Sequence, residues 1–421
     1  MEFFGNFIEL SAKAACCHAV IDPDNCVIEM ERVIGEARKQ NQPAYIIVPS
    51  DYALFPVTPY EARPLTLKSS AAALKKAVTA IDDRLKAAKS VVAFAAFTIS
   101  RLGLQKEAQK AIEALGCPFA VRRWRNASST KVIRNLPVFT PAQRQATREV
   151  VEVNLNDITT ACYSTRLDRA RFITIGLNDV RIGDELIAGV RLGDMLEAIA
   201  KLRPVAAPYR ATPTRASAAS GQPSDKITMA ALYPRYAAFI RAGATVVLET
   251  GSSSLGLVPM RLADGVRVEA QVLWGSIGWA TPAAFGAALA DERRRTILIT
   301  GEGSQQLTAN EIGSMGRFGA NVIVFVLNNS GYLIERALEE NPDWTYNNLS
   351  PWRYAELPRA LGCSDWFTAR VETLGELDAA MKAARVNKSG AYIEIIGGKM
   401  DMPPALAFAH GRLRELYGAA P

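Results

Sequence analysis

Histidine is almost missing: a chain of 421 residues holds two, His18 and His410. Cysteine is present six times (Cys16, Cys17, Cys26, Cys117, Cys162 and Cys363), but no two are spaced Cys-x-x-Cys. With so little histidine and no paired cysteines, the ligand spacing of a zinc site is absent, and the thiols read as scattered and reduced. Long apolar runs are missing too; none approaches the ~20 residues that span a bilayer. The opening MEFFGNFIELSAKAACC lacks the basic segment and apolar core of a secretory leader. These absences point to a soluble, cytoplasmic protein with no membrane contact. Cys16, Cys17 and His18 are the one cluster in which a nucleophile could be sought, but the stretch reads as an apolar helix face, which argues against catalysis there.

Basic residues exceed acidic ones, 49 Lys and Arg against 42 Asp and Glu, for a net charge of +7 and a pI near 9.1. Such a surplus raises the question of nucleic acid. The basic residues are scattered, however, and no aromatic-interleaved module accompanies them. The densest patch, VRRWRNASSTKVIR at 121–134, reads as a solvated loop. No nucleic-acid partner is expected; the surplus serves to attract anionic substrates.

What is present is a globular composition, 49% hydrophobic, long enough for two or three domains. Residues 27–40, VIEMERVIGEARKQ, have helical periodicity and lead into an apolar strand, AYIIVP, at 44–49. A proline-bearing linker follows at 55–64. A helix over about 70–88, a strand at 90–96, a helix within 105–116 and a strand at 171–176 make a second block. After residue 203 the Pro-, Ala- and Ser-rich stretch RPVAAPYRATPTRASAASGQPSD is a second linker. The third block, 226–421, has strands at 244–249, 296–300, 322–327 and 391–396 between helical segments. Alternating helices and strands predict an α/β fold with parallel sheets flanked by helices.

Within that block, GEGS at 301–304 follows a β-branched run, and NNSGY at 328–332 follows another, with helical spacing in QLTANEIGSMGRFG between them. Strand, glycine turn, helix, strand and polar loop make a βαβ unit, whose two loops leave the carboxyl ends of parallel strands and share one crevice. Glycines let backbone N–H groups approach an anion. A carboxylate there repels a phosphate unless a cation lies between. Glu302, an asparagine oxygen and a loop carbonyl are hard oxygen donors of the kind Mg²⁺ takes with phosphate oxygens. Local pattern alone leaves open two ordinary polar turns.

Four ordered motifs, ETGSSSLG at 249–256, LWGSIGWATPAAFGAALA at 273–290, GEGSQQLTANEI at 301–312 and NNSGYLIE at 328–335, together resemble the thiamine diphosphate (ThDP) decarboxylases. The likeness is greatest to the branch of pyruvate, indolepyruvate and phenylpyruvate decarboxylases. Asn329 follows Glu302 by 27 positions, as that family's signature requires. The resemblance implies a C-terminal remnant of a pyrimidine-binding domain at 1–63, a central α/β domain at 64–203, a linker at 204–225 and a diphosphate- and Mg²⁺-binding domain at 226–421. It implies that Glu302, Asn329 and the Gly331 carbonyl hold Mg²⁺, and that Gly303, Ser304 and Ser252 hydrogen-bond the diphosphate. Gly251, Ser253 and Ile334 join the cofactor contacts, Gly275 meets the aminopyrimidine through its carbonyl, and Ile277 supports the bent cofactor. Glu335 is then the catalytic group, moving a proton at the reacting carbon. The implied substrate is a small 2-keto acid, decarboxylated without oxidation to an aldehyde, and the implied assembly is a homodimer or homotetramer with the cofactor between subunits.

Two departures from the family pattern stand out. Glu302 occupies the position of an aspartate, and its extra methylene predicts weaker metal binding. The chain also matches only the last portion of the pyrimidine-binding domain, so no residue is nominated for that domain's activating glutamate or its histidine pair, and His18 does not match. Besides a decarboxylase of doubtful activity, two other functions are therefore open. One is a non-catalytic ThDP-fold binding protein or partner subunit. The other is a carboligase like the acetolactate synthases, against which the glutamate of GYLIE counts.

Overall fold

The computed structural model describes residues 5–57, 67–88, 91–95, 98–117, 119–121, 149–153, 172–202, 218–257, 260–263, 265–271, 275–339, 341–404 and 406–407. Three sheets organise them. β1 (His18–Val20) and β2 (Tyr45–Ile47) form a short parallel pair crossed over by helix Cys26–Gln40. Its small core is Ala19, Ile21 and Val33. The stretch around His18 is thus a strand entered from a bend rather than a helix face; the helix before it, Gly5–Ala12, ends short of the cysteines.

The second sheet runs β4 (Phe119–Val121), β3 (Val91–Ala95), β5 (Glu149–Val153), β6 (Phe172–Ile175), β7 (Asp179–Ile182) and β8 (Glu185–Ala188) in spatial order. The first four strands are parallel; β7 and β8 close the edge as antiparallel neighbours. Helix Ala71–Ala87 starts at Ser70, whose hydroxyl accepts from the Ala73 N–H at 3.4 Å. It lays Ala77, Ile81 and Leu85, at helical spacing, against Ile173, Ile175 and Met195 in one core. Asn178 and Arg191, from this layer, both donate to the Lys39 carbonyl at 3.1 and 3.0 Å, which ties the first helical unit to it. The basic patch at 121–134, beyond its first residue, and most of both linkers lie outside the described residues.

The third sheet is entirely parallel, in the order β10 (Arg267–Ala270), β9 (Thr245–Leu248), β11 (Thr296–Gly301), β12 (Val322–Asn328), β14 (Ala391–Ile396) and β13 (Phe367–Val371). Its central strands are buried along nearly their whole length. That is why they read as continuous apolar runs: helices cover both faces. Met229–Phe239 and Leu374–Val386 pack on one side around Phe325 and Ile393, and Ala280–Ala290 and Glu311–Arg317 on the other around Val324 and Tyr392. The chain leaves β9 for the edge strand β10 and returns to β11 on β9's other side, so the strand order reverses between β9 and β11. In open α/β sheets such a reversal opens a crevice at the carboxyl ends of the strands. The segment 306–319, predicted as one helical run, is two: Glu302–Thr308 starts at the glycine turn itself, and Glu311–Arg317 follows after a break. No helix among the described residues is long and apolar enough to cross a membrane.

Candidate functional site

β11 and β12 pair with Gly301 opposite Leu327, so the residues just beyond, Glu302 and Asn328–Asn329, emerge side by side. Register alone therefore brings the two polar motifs together. Glu302 is buried, and its Oε1 accepts from the Gly331 N–H at 2.7 Å and the Asn329 N–H at 3.1 Å. Burial pushes this carboxyl up to about 7, against the downward pull of those N–H groups and of the nearby Arg336. The extra methylene is what the carboxylate uses to reach the loop after β12.

Asn329 turns one end of its side-chain amide toward both Glu302 Oε1, at 3.2 Å, and the Gly331 carbonyl oxygen, at 2.8 Å. With nitrogen at that end both contacts are hydrogen bonds. With oxygen there, acceptors face one another, an arrangement that a shared proton or a cation stabilises. The donor set of Glu302, Asn329 and the Gly331 carbonyl therefore fits a hard divalent ion.

The loop holding two of these donors is unusually constrained. Ser330 has φ 63° and Gly331 φ 151°. A Cβ at Gly331 would lie 2.1 Å from the Asn347 carbonyl oxygen and 2.2 Å from Arg336 Nη2, so no other residue fits. Arg336, almost wholly buried, donates to the Asn329 carbonyl at 3.2 Å, the Ser330 carbonyl at 2.6 Å and Asn348 Oδ1 at 3.0 Å. From below, Asn328 Nδ2 donates to Glu394 Oε1 at 2.8 Å, while the Asn328 side-chain oxygen accepts from the Ser330 N–H at 3.3 Å. Strain in such a loop, on the order of 1–3 kcal/mol per unusual residue, persists only where the surroundings over-determine it.

The other motifs converge on the same place. Gly303 lies so close to the Tyr332 ring that a Cβ would come within 2.3 Å of it. Gly251, at φ 102°, faces Ile334, and a Cβ there would stand 3.8 Å from Ile334 Cγ2. A Cβ at Gly275, whose φ is 61°, would stand 3.7 Å from Thr250 Cγ2, and Gly278 abuts Leu307 and the Ser304 carbonyl. Ser253 and Ser304 are buried. Ser252 opens helix Ser252–Leu257, and its carbonyl accepts from the Tyr233 hydroxyl at 2.7 Å. Ile277 is 38% exposed on the crevice loop, an apolar side chain left uncovered by the chain itself. Ile334 packs beside Leu333, Leu255 and Leu406, and Glu335, the next residue, is exposed on helix Leu333–Leu338.

Three charged groups here escape a reading of the sequence. Glu249 is fully buried at the end of β9 and accepts from the N–H groups of Thr250 (3.1 Å), Gly278 (3.2 Å) and Ala280 (3.4 Å). Desolvation raises its carboxyl above the usual range, partly offset by these bonds. It thus fastens the loop bearing Gly275 and Ile277 to the loop bearing Gly251. Glu394 and Arg336 brace the loop after β12. Glu249 opens the motif ETGSSSLG, but a glutamate at a strand end gives no sign of burial until the neighbouring loop is in place.

A parallel sheet whose switch-point loops gather polar groups beside glycine-rich turns has the architecture of a ligand-binding α/β domain. Residues 250–395 match the family model described as the thiamine pyrophosphate enzyme C-terminal TPP binding domain. The chain is 34% identical over 422 residues, 96% of its length and 74% of the relative's, to the alpha-keto-acid decarboxylase of Mycobacterium leprae, and 32% identical over 424 residues, with the same shares, to that of Mycobacterium ulcerans. It belongs to the thiamine diphosphate-dependent alpha-keto-acid decarboxylase family. Its fold is shared with the benzoylformate decarboxylase of Polynucleobacter necessarius, at a TM-score of 0.71 and 18% identity over 92% of this chain and 77% of that one. The 4-hydroxybenzoylformate decarboxylase of Rhodococcus jostii RHA1 matches at 0.67 and 17%, over 91% and 76%.

Proposed function

We propose that the chain binds thiamine diphosphate through Mg²⁺ and decarboxylates a small 2-keto acid of the pyruvate, indolepyruvate or phenylpyruvate type to an aldehyde. The observation that carries this reading is the meeting of the two loops: Glu302 Oε1 accepts from the Gly331 and Asn329 N–H groups, and the Asn329 amide lies 3.2 Å from Glu302 Oε1 and 2.8 Å from the Gly331 carbonyl oxygen, so the three residues gather in one place. These three would hold the metal, and Gly303, Ser304, Gly251, Ser252 and Ser253 would line the diphosphate. Gly275 and Ile277, on the loop that Glu249 anchors, would meet the organic part of the cofactor, with Ile334 beside Gly251.

When bound, the cofactor supplies the carbon nucleophile and the electron sink that loss of carbon dioxide requires. The protein's own part is to hold, orient and protonate. The buried Glu302 and the clamped loop keep the metal ligands in place before any substrate arrives, so little reorganisation is needed. Glu335, exposed at the opening of its helix, would exchange protons with solvent and deliver one to the substrate carbon after carbon dioxide leaves. The assembly that goes with this reading is a homodimer or homotetramer in which a second subunit covers the open side of the crevice.

Calorimetric titration with thiamine diphosphate, with and without Mg²⁺, followed by aldehyde detection with pyruvate, phenylpyruvate and indolepyruvate, tests the reading. Mg²⁺-dependent binding and aldehyde release are expected. Binding that ignores Mg²⁺ would remove the proposed metal ligands. Tight Mg²⁺-dependent binding without aldehyde would instead support a non-catalytic partner subunit, and a condensed product from two keto acids would support a carboligase.

A further inference from the structure

The proposed reaction leaves unused a pair of thiols in the first unit. Cys16 and Cys17 sit at the bend before β1, both half-buried, with their Sγ atoms 3.6 Å apart. The bend is pinned on both sides: the Cys16 N–H donates to the Pro43 carbonyl at 2.8 Å, and the Cys17 carbonyl accepts from the Tyr45 N–H at 3.1 Å. The sulfurs are held as well. Cys16 Sγ donates to the Gln42 carbonyl at 3.8 Å and Cys17 Sγ to the Val33 carbonyl at 3.6 Å.

Two fates are open to neighbouring thiols, and geometry separates them. Adjacent residues on a trans peptide have Cα atoms ~3.8 Å apart, below the ~4.4–6.8 Å that ordinary disulfides span. An internal disulfide here is therefore strained and disfavoured. Chelation has the opposite requirement. Two bonds of about 2.3 Å to one soft centre, at an angle between about 95° (pyramidal) and about 109° (tetrahedral), place the sulfurs roughly 3.4–3.8 Å apart. The 3.6 Å observed is close to that bite.

We propose that Cys16 and Cys17 form a chelating dithiol site for a soft thiophilic centre, above all a monosubstituted trivalent arsenical, which needs two thiolates from the protein and no third ligand. The step balances without an oxidant. Two sulfur–arsenic bonds form, the arsenic–oxygen bond of the arsenous oxide breaks, and the two thiol protons leave with that oxygen as water. Soft thiolate ligands favour such centres over the hard ion expected in the crevice. The other described cysteines lack the arrangement: Cys117 and Cys363 are buried, and Cys26, half-buried, has its Sγ turned to the Pro23 carbonyl at 3.9 Å.

The test uses phenylarsine oxide on the intact chain, read by mass spectrometry under non-denaturing conditions. One phenylarsenic adduct per chain is expected. It should survive an excess of a monothiol and be stripped by a small dithiol, because only another chelator competes with a ring. Cys16→Ser and Cys17→Ser should each abolish the stable adduct, whereas Cys26→Ser retains it. Loss of the wild-type adduct to monothiol would overturn the proposal without any variant, as would an adduct that persists in Cys16→Ser. Recovery of a Cys16–Cys17 disulfide from mild air oxidation would overturn the geometric reason for it.

Discussion

At the scale of single residues, Glu302 departs from the family pattern and takes up hydrogen bonds from the loop after β12. From sequence, one extra methylene predicts a displaced metal ligand. In the fold that methylene carries the carboxylate onto the N–H groups of Asn329 and Gly331, which belong to the loop supplying the other two donors. Glu302→Asp withdraws the carboxylate by about one carbon–carbon bond, ~1.5 Å. Each hydrogen bond to a charged group contributes ~1.5–3 kcal/mol. The variant should therefore melt earlier without ligands and bind thiamine diphosphate and Mg²⁺ more weakly, by at least about tenfold in calorimetry. Tighter binding would mean that ligand geometry, not loop anchoring, limits the native site. Glu249 makes a second prediction, through pH. Its carboxyl is raised by burial, so the folded state holds its proton more firmly than the unfolded chain does. Such a group stabilises fully below the unfolded value, near ~4.3, and loses that contribution as pH rises through the folded value. Glu249→Gln should flatten this decline in denaturant titrations of the metal-free chain across the acid side of neutrality. It should also weaken cofactor binding, because the amide no longer accepts from Gly278 and Ala280 with a full charge. An unchanged pH slope would show that Glu249 does not titrate in this window.

At the scale of elements, the strands and long helices are legible in the sequence because burial on both faces of a parallel sheet writes continuous apolar runs, as in VIVFVL, and one-sided helix packing writes a 3.6-residue period, as in Ala77, Ile81 and Leu85. The edge strands β10 and β13 are not, since each is only partly buried and their sequences, RVEA and FTARV, mix charge with apolar residues. The break between Glu302–Thr308 and Glu311–Arg317 is equally silent, because apolar spacing continues across it. Of the site, the oxygen cluster is visible as motif, while its supports, Arg336 and Glu394, are not, since a charged side chain reads as solvated until tertiary partners bury it. The loop after β12 owes its shape to Arg336, which bonds two successive carbonyls, so Arg336→Met should leave both without that donor and cost cofactor affinity more than it costs global stability. A contrasting element gives the control. Helix Leu374–Val386 opens with a capping box, Thr373 accepting from the Glu376 N–H while Glu376 accepts from the Thr373 N–H. Thr373→Ala should cost ~1 kcal/mol of stability and lower the melting temperature by a few degrees, with cofactor affinity unchanged in titration. Equal losses of affinity in the two variants would mean that the loop after β12 is not the binding element.

At the scale of the whole molecule, the described residues divide among separate cores. Ile81, Ile173 and Met195 belong to one, Phe325, Ile393 and Leu377 to another, and no buried cluster among the described residues joins the second sheet to the third. Each sheet thus carries its own hydrophobic driving force, and the residues proposed to hold cofactor and metal all come from the third. A ligand stabilises only the cooperative unit that binds it, by RT ln(1 + [L]/Kd), or about 2.7 kcal/mol at a hundredfold excess over Kd. Calorimetric melting should then resolve more than one transition. Thiamine diphosphate with Mg²⁺ should raise the transition belonging to the third sheet and leave that of the second in place. Each ligand alone should move it less than both together, since metal and diphosphate complete one another's coordination. Asn329→Ala removes a metal donor from the loop and should erase the shift without moving the second sheet's transition. A single transition that rises as a whole would show instead that the two sheets unfold as one unit, with the binding energy shared across the chain.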